Sequence, residues 1–248
     1  NATLSVQTRR DDLQDLLDKR WDGQTRQFVE YWFAKETQIE LMALLSEIEH
    51  LEDTRVKDFM KLAFSACIIT KSGGVSLAFD LAHTRPHRAK VVFMPSGELI
   101  LGDNHHENPS PRTQFLTKTL RSPLVEFQKR LQQNIKSLFE IPSGKHLPHL
   151  NLADAQNLPL EANTVDLIVT SPPYASNAID YMRAHKFSLV WLGYTVDQLT
   201  STRSYCIGGE NTASFSFEEL PPFTESIVVE LRQVDDKKAD VLHRYYSE

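Results

Sequence analysis

The chain contains 248 residues, of which 41% are hydrophobic and 24% are charged, a balance typical of a globular protein. Acidic residues outnumber Lys and Arg by 33 to 27, so the net charge is −6 and a general basic coating for nucleic acid is excluded. No run of about 18 apolar residues occurs, and the cysteines lie far apart, so we expect neither a membrane span nor a disulfide framework. We expect a reducing cytoplasm as the compartment.

Apolar residues recur at helical spacing through much of residues 1–146, which predicts a mainly helical lobe. Helices are predicted at 11–20 and 37–51, and a third follows Asp53, a suitable N-cap. Residues 101–121 are polar and contain prolines, and we expect a loop there. Pro123 then opens a further helix, because its ring is favourable at the first helical position.

The pattern changes after residue 147. The apolar run 149–153 ends at Asp154, and the β-branched run Val165–Thr170 predicts a central parallel strand buried on both faces. Helices are expected over 179–192 and 224–246. Together these features predict an α/β fold with a partial sheet over residues 147–248.

Ser171, Pro172, Pro173 and Tyr174 follow the predicted strand directly. Neither proline has an N–H for a sheet ladder, so the chain must leave the sheet in a rigid turn. Such a turn at the carboxyl end of a parallel strand is a common ligand position. The Ser171 hydroxyl and the Pro172 carbonyl would accept hydrogen bonds from a planar amino group, and Tyr174 would stack on the same group.

The run Asp166-Leu-Ile-Val-Thr-Ser-Pro-Pro-Tyr174 resembles the catalytic motif of the S-adenosylmethionine-dependent amino-methyltransferases. The preceding run Leu152–Pro159 is similar to the motif in which an acidic residue contacts the cofactor adenine. The resemblance, close over residues 150–210, implies a Rossmann-like methyltransferase fold with a helical insertion. It also implies that Ser171 to Tyr174 are catalytic and that Asp154 and Ala155 bind the cofactor.

The resemblance implies methyl transfer to an exocyclic amino nitrogen of an extruded DNA base, in DNA modification or restriction protection. Serine at the first motif position favours N4 of cytosine over N6 of adenine. Two alternatives stay open: an RNA amino-methyltransferase, and a degenerate methylase that acts as a non-catalytic binding module.

The family pattern is incomplete in this chain, because the glycine-rich loop that holds the cofactor is absent. We therefore expect this chain to be a fragment that binds S-adenosylmethionine poorly and is inactive alone. A further N-terminal segment or a partner subunit would complete the cofactor site.

The most basic stretch is His83–Lys90, and Arg85, Arg88 and Lys90 are candidate contacts for nucleic-acid phosphates. The alternative is a solvated loop between two helices. Cys67 lies on an apolar helical face and Cys206 lacks the context of a catalytic thiolate, so covalent catalysis is not expected. Residues 103–107 include residue types that bind metal ions, but no second pair of such residues follows at a recognisable spacing. We therefore expect no metal site.

Overall fold

The structure is a computed structural model that describes residues 1–70, 72–81, 86–102, 116–140, 144, 148–155, 157–171, 181–204 and 215–247. These residues form ten helices and five short strands. The helices are α1 (Ala2–Thr8), α2 (Arg10–Arg20), α3 (Gly23–Trp32), α4 (Lys35–Glu49), α5 (Thr54–Ile68), α6 (Pro123–Phe139), α7 (Tyr181–Leu189), α8 (Val196–Ser204), α9 (Pro222–Arg232) and α10 (Asp236–Ser247). The strands are β1 (Ala78–Asp80), β2 (His87–Arg88), β3 (Val91–Phe93), β4 (Leu99–Leu101) and β5 (Thr117–Thr119).

The predicted N-terminal helices are confirmed, with ends set by local signals. The carboxylate of Asp53 accepts hydrogen bonds from the N–H groups of Arg55 (2.9 Å) and Val56 (3.2 Å), so it caps α5 as expected. Pro123 is the first residue of α6, where its missing N–H does no harm. At these two helices, a residue that satisfies or removes a free N–H stands before an apolar stripe.

The main core joins the N-terminal helices to α7 and α8. Leu41 and Leu45 of α4 and Phe64 of α5 are almost fully buried in it, together with Phe187 of α7 and Trp191, which follows that helix. Residues 181–204 therefore pack on a core formed largely by residues 1–70. Apolar burial of this extent is the main stabilising contribution to the fold.

The segment of the chain that connects α5 to α6 forms two small sheets. Strands β1 and β2 pair antiparallel, with Ala78 opposite Arg88. Strand β3 pairs antiparallel with β4 and parallel with β5, in the order β4-β3-β5. A second apolar cluster of Leu77, Ala89, Val92 and Leu120 covers these strands. Helices together with mixed sheets agree with the predicted α/β class.

The sheets do not lie where the sequence predicts them. No strand forms over 165–170 in the described structure, and the side chains of Leu167 and Val169 are 78% and 87% exposed. The prediction of a buried parallel strand there is wrong for this structure, because no described strand lies beside the run to pair with it. The strands instead fall within 78–119, in the region expected to be mainly helical or loop.

The helix predicted over 224–246 is two helices, α9 and α10. They are separated at Gln233–Asp235, and the carboxylate of Asp235 accepts a hydrogen bond from the N–H of Lys238 at 3.0 Å. This bond lowers the pKa of Asp235 and caps α10. No helix in the described ranges combines the length and apolar character needed to cross a bilayer.

Candidate functional site

Ser171 is the last described residue before the predicted catalytic turn, and its side chain is exposed. Pro172, Pro173 and Tyr174 lie outside the described residues. The convergence of the Ser171 hydroxyl and the Pro172 carbonyl on one amino group therefore stays a prediction.

Asp154 and Ala155, the predicted cofactor residues, lie on an exposed turn. Asp154 forms an isolated antiparallel bridge with Asn157, whose N–H donates to the Asp154 carbonyl at 3.0 Å. The exposed turn does not itself enclose a ligand. The described residues here do not build a pocket for S-adenosylmethionine, so a cofactor site at Asp154 needs further residues.

The basic stretch is described from residue 86 onward, and this part includes a short strand rather than only a loop between two helices. His87 and Arg88 form β2, and the His87 ring nitrogen Nδ1 lies 2.9 Å from a carboxylate oxygen of Asp80. Lys90 is exposed, as a phosphate contact requires, whereas Arg85 lies outside the described residues.

Arg88 differs from the expected exposed arginine because it is half-buried. The carbon of its guanidinium lies 4.3 Å from the centroid of the Tyr31 ring, which is a cation–π contact. Its Nε is buried and has no hydrogen-bond partner in the described part of the chain. The side chain is therefore fixed in place while part of its hydrogen-bonding capacity stays unused.

Cys67 is fully buried in α5, and its thiol donates to the Phe64 carbonyl at 3.0 Å. Burial raises the pKa of the Cys67 thiol to about 12. The nucleophilic thiolate therefore does not form near neutral pH, which agrees with the expectation of a core cysteine. Cys206 lies outside the described residues.

Lys118 is a buried charged residue that the sequence analysis missed. Its ammonium group donates to four backbone carbonyls, those of Ser72 (3.3 Å), Gly74 (3.1 Å), Ser76 (2.7 Å) and Ala78 (2.6 Å). We refer to these four groups as the carbonyl cage. The Thr-Lys-Thr sequence of β5 carries no signal for such burial, because the acceptors belong to a segment 40 to 46 positions away.

The described residues contain no group of three or more His, Cys, Asp or Glu side chains that could hold a metal ion, and residues 103–107 lie outside them. Comparison with protein-family models, with curated proteins and with solved structures finds no match to this chain.

Proposed function

We propose that residues 150–210 belong to an S-adenosylmethionine-dependent amino-methyltransferase that acts on DNA, with N4 of cytosine favoured over N6 of adenine. The observation that carries the proposal is the run Asp166–Tyr174, in which Ser-Pro-Pro-Tyr follows five residues of strand-forming sequence. Upstream of it, the run Leu152–Pro159 resembles the preceding motif of the same family. The exposure of Ser171 supports the proposal, since a residue that contacts an extruded base must be accessible.

The chemistry follows from the amino group itself. The lone pair of an exocyclic nitrogen is delocalised into the base, so the nitrogen is a weak nucleophile. Acceptors at Ser171 and Pro172 would draw on the two amino hydrogens and stabilise the nitrogen as positive charge develops. The Tyr174 ring would hold the base by stacking. S-adenosylmethionine is the methyl donor that the resemblance implies.

A covalent mechanism that methylates a ring carbon finds no support at Cys67. That mechanism needs a thiolate nucleophile, and burial raises the pKa of this thiol to about 12. The amino-methyltransferase proposal needs neither a thiolate nor a general base with a shifted pKa.

The test is single-turnover methylation of duplex DNA by the natural full-length polypeptide, with the methylated nucleoside identified by mass spectrometry. We expect N4-methylcytosine. Ser171→Ala should slow methyl transfer by roughly 10²–10³-fold, because it removes one of two groups that stabilise the transition state. Ser216→Ala replaces another exposed serine and serves as the matched control.

Tyr174→Ala should weaken DNA binding by about 1–3 kcal/mol, whereas Tyr174→Phe keeps the ring and should bind nearly normally. Methylation of RNA but not of DNA would show that the substrate is RNA and would overturn the proposal of a DNA substrate. Full activity of Ser171→Ala, or methylation at carbon 5 of cytosine, would overturn the mechanism.

A further inference from the structure

A cavity of about 980 Å³ lies between the N-terminal helices and the small sheets. We refer to it as the helix–sheet cavity. Its apolar lining includes Leu17, Val29 and Phe33 from the helices and Leu77 and Leu101 from the strand side. It lies between the two apolar clusters of the fold, and its volume is at the upper end of the range for small-molecule sites, about 300–1,000 Å³. Neither Ser171 nor Asp154 lines it.

Arg88 is a polar residue of this cavity that has unused hydrogen-bonding capacity. Its buried Nε has no acceptor in the described ranges, and no described carboxylate forms an ion pair with it. A buried guanidinium N–H without an acceptor is unfavourable, because the group has lost water and gained nothing in return. The contact with Tyr31 holds the guanidinium plane in position. Because Nε itself is shielded, a bound acceptor would reach the guanidinium through its terminal nitrogens, on a group that is already ordered.

The remaining charges of the lining are nearly balanced. Two carboxylates are already paired, that of Asp18 with Arg26 at 3.3 Å and that of Glu36 with Arg10. Lys35 faces no ion-pair partner among the described residues, and the same holds for the carboxylates of Glu30 and Glu98. Arg88 and Lys35 thus oppose two unpaired acids. Because these charges cancel, the lining disfavours a phosphate dianion or a polyanion, and a single negative charge is favoured only where it lies next to Arg88.

Helix α4 adds to the positive end of the cavity. Ala34, Lys35 and Glu36 line the cavity where this helix of 15 residues begins, and the N-cap Ala34 has no side-chain acceptor for the first N–H groups. Free N–H groups and the helix dipole favour an anion at this end. The N-terminus of α4 adds to the attraction that Arg88 and Lys35 exert on an anion, and these two side chains are the main basis of the site.

From these observations we infer that the helix–sheet cavity binds a small organic acid, with an apolar body and a single carboxylate that accepts hydrogen bonds from Arg88. The apolar body lies against Trp21, Ile100 and Leu101, lining residues that keep some accessible surface, and a carboxylate matches the two-pronged geometry of a guanidinium. This inference is independent of the proposed methyltransferase function, since the two rest on different residues.

The experiment uses three probes with the same ring system, 2-naphthylacetate, 2-naphthaleneethanol and 2-naphthyl phosphate, titrated into the whole chain and followed by NMR of labelled leucine and valine methyl groups. We expect saturable binding of the acetate with shifts at Leu17, Val29 and Leu101. It should bind at least about tenfold more tightly than the alcohol, because a charged hydrogen bond is lost in the alcohol complex.

Arg88→Gln should weaken binding of the acetate about tenfold or more, and Arg88→Lys should keep part of the affinity. Lys35→Gln changes an exposed side chain and should weaken binding by a smaller factor without loss of the fold. Arg55→Gln, at an arginine that is 93% exposed and outside the cavity, is the matched control and should bind normally.

Equal binding of the acid and the alcohol, or unchanged binding by a folded Arg88→Gln variant, would overturn the inference. Tighter binding of the phosphate would overturn the single-charge requirement. Shifts confined to methyl groups outside the cavity would refute the location, and no saturation by about 10 mM acetate would refute the site as a whole.

Discussion

Lys118 has the most unusual surroundings of the single residues described. A buried ammonium is normally paired with a carboxylate, but among the described residues this one is satisfied by the carbonyl cage. The hydrogen bonds connect β5 to the segment between α5 and β1. Lys118 therefore stabilises the position of the small sheets relative to the helices.

We predict that Lys118→Met lowers the free energy of unfolding by about 2–4 kcal/mol, because the four carbonyls lose a charged donor inside the protein. Urea denaturation at pH 7 measures the loss. Lys136→Met is the control, since this lysine is 80% exposed and should change stability by less than about 0.5 kcal/mol. A loss no larger than that of the control would show that the cage contributes nothing to stability.

The same residue should make stability depend on pH. Burial lowers the pKa of Lys118 to about 7, whereas a lysine in the unfolded chain titrates near about 10.4. Between these values the unfolded state binds more protons, so the free energy of unfolding rises with pH. The natural protein should gain about 1.5 kcal/mol over Lys118→Met between about pH 7 and 8.5. Hydrogen bonds from the carbonyl cage act against burial, because they favour the ammonium form. If the difference in free energy of unfolding between the natural protein and Lys118→Met stays constant from about pH 7 to 8.5, these bonds outweigh burial and the pKa is not lowered.

Among the elements, the turn after α5 is tightly restricted by backbone geometry. Gly73 and Gly74 have φ angles of 71° and 52°, and a Cβ at Gly74 would lie 2.3 Å from the carbonyl oxygen of Ile68. We predict that Gly74→Ala lowers the free energy of unfolding by more than about 2 kcal/mol, because the clash is with backbone.

Gly23→Ala is the matched control for this turn. Gly23 begins α3 and no atom lies within 4 Å of a Cβ there, so alanine should be neutral or stabilise by up to about 1 kcal/mol. Both variants can be compared by urea denaturation. Equal effects at the two glycines would contradict the steric argument.

The composition of Val165–Thr170 favours a β-strand, but the structure has no strand there. The side chains of this run are exposed and no described strand pairs with it. We predict that its amides exchange with solvent close to the unprotected rate in this chain, while amides in the middle of α5 are strongly protected. Hydrogen exchange followed by NMR measures both in one experiment. Protection at 165–170 similar to that of α5 would show that the run is paired after all.

Across the whole molecule, residues 181–204 are held against the N-terminal helices by bonds that span about 170 positions of sequence. The Trp21 indole donates to the Val190 carbonyl at 3.0 Å, and the Val196 N–H donates to the Thr25 hydroxyl at 3.0 Å. Trp191 is fully buried beside them, with its ring 4.9 Å from that of Trp21. These contacts make the two parts of the chain one core.

We predict that Trp191→Ala lowers the free energy of unfolding by about 3–5 kcal/mol, as removal of a large buried aromatic side chain does. Trp191→Phe should have a smaller effect, because it keeps an aromatic ring and removes an indole N–H that has no partner among the described residues. Phe223→Ala is the control, since this ring is 78% exposed. A loss at Trp191 similar to the control would show that α7 and α8 do not stabilise the core.

The sequence by itself determined most of the N-terminal helices. Their apolar periodicity is local, and so are the signals at Asp53 and Pro123 that start α5 and α6. A helix satisfies its hydrogen bonds within its own segment, so residues four positions apart are enough to predict it. The functional hypothesis also came from a local signal, the motif that begins at Ser171.

Only the tertiary structure decided which apolar runs became strands, because a strand needs a partner from elsewhere in the chain. The hairpin β3–β4 found its partner across a short turn, whereas Val165–Thr170 found none among the described residues. The same reason applies to Lys118 and Arg88. Their burial, and with it the carbonyl cage and the helix–sheet cavity, depends on residues far away in sequence, which no local pattern records.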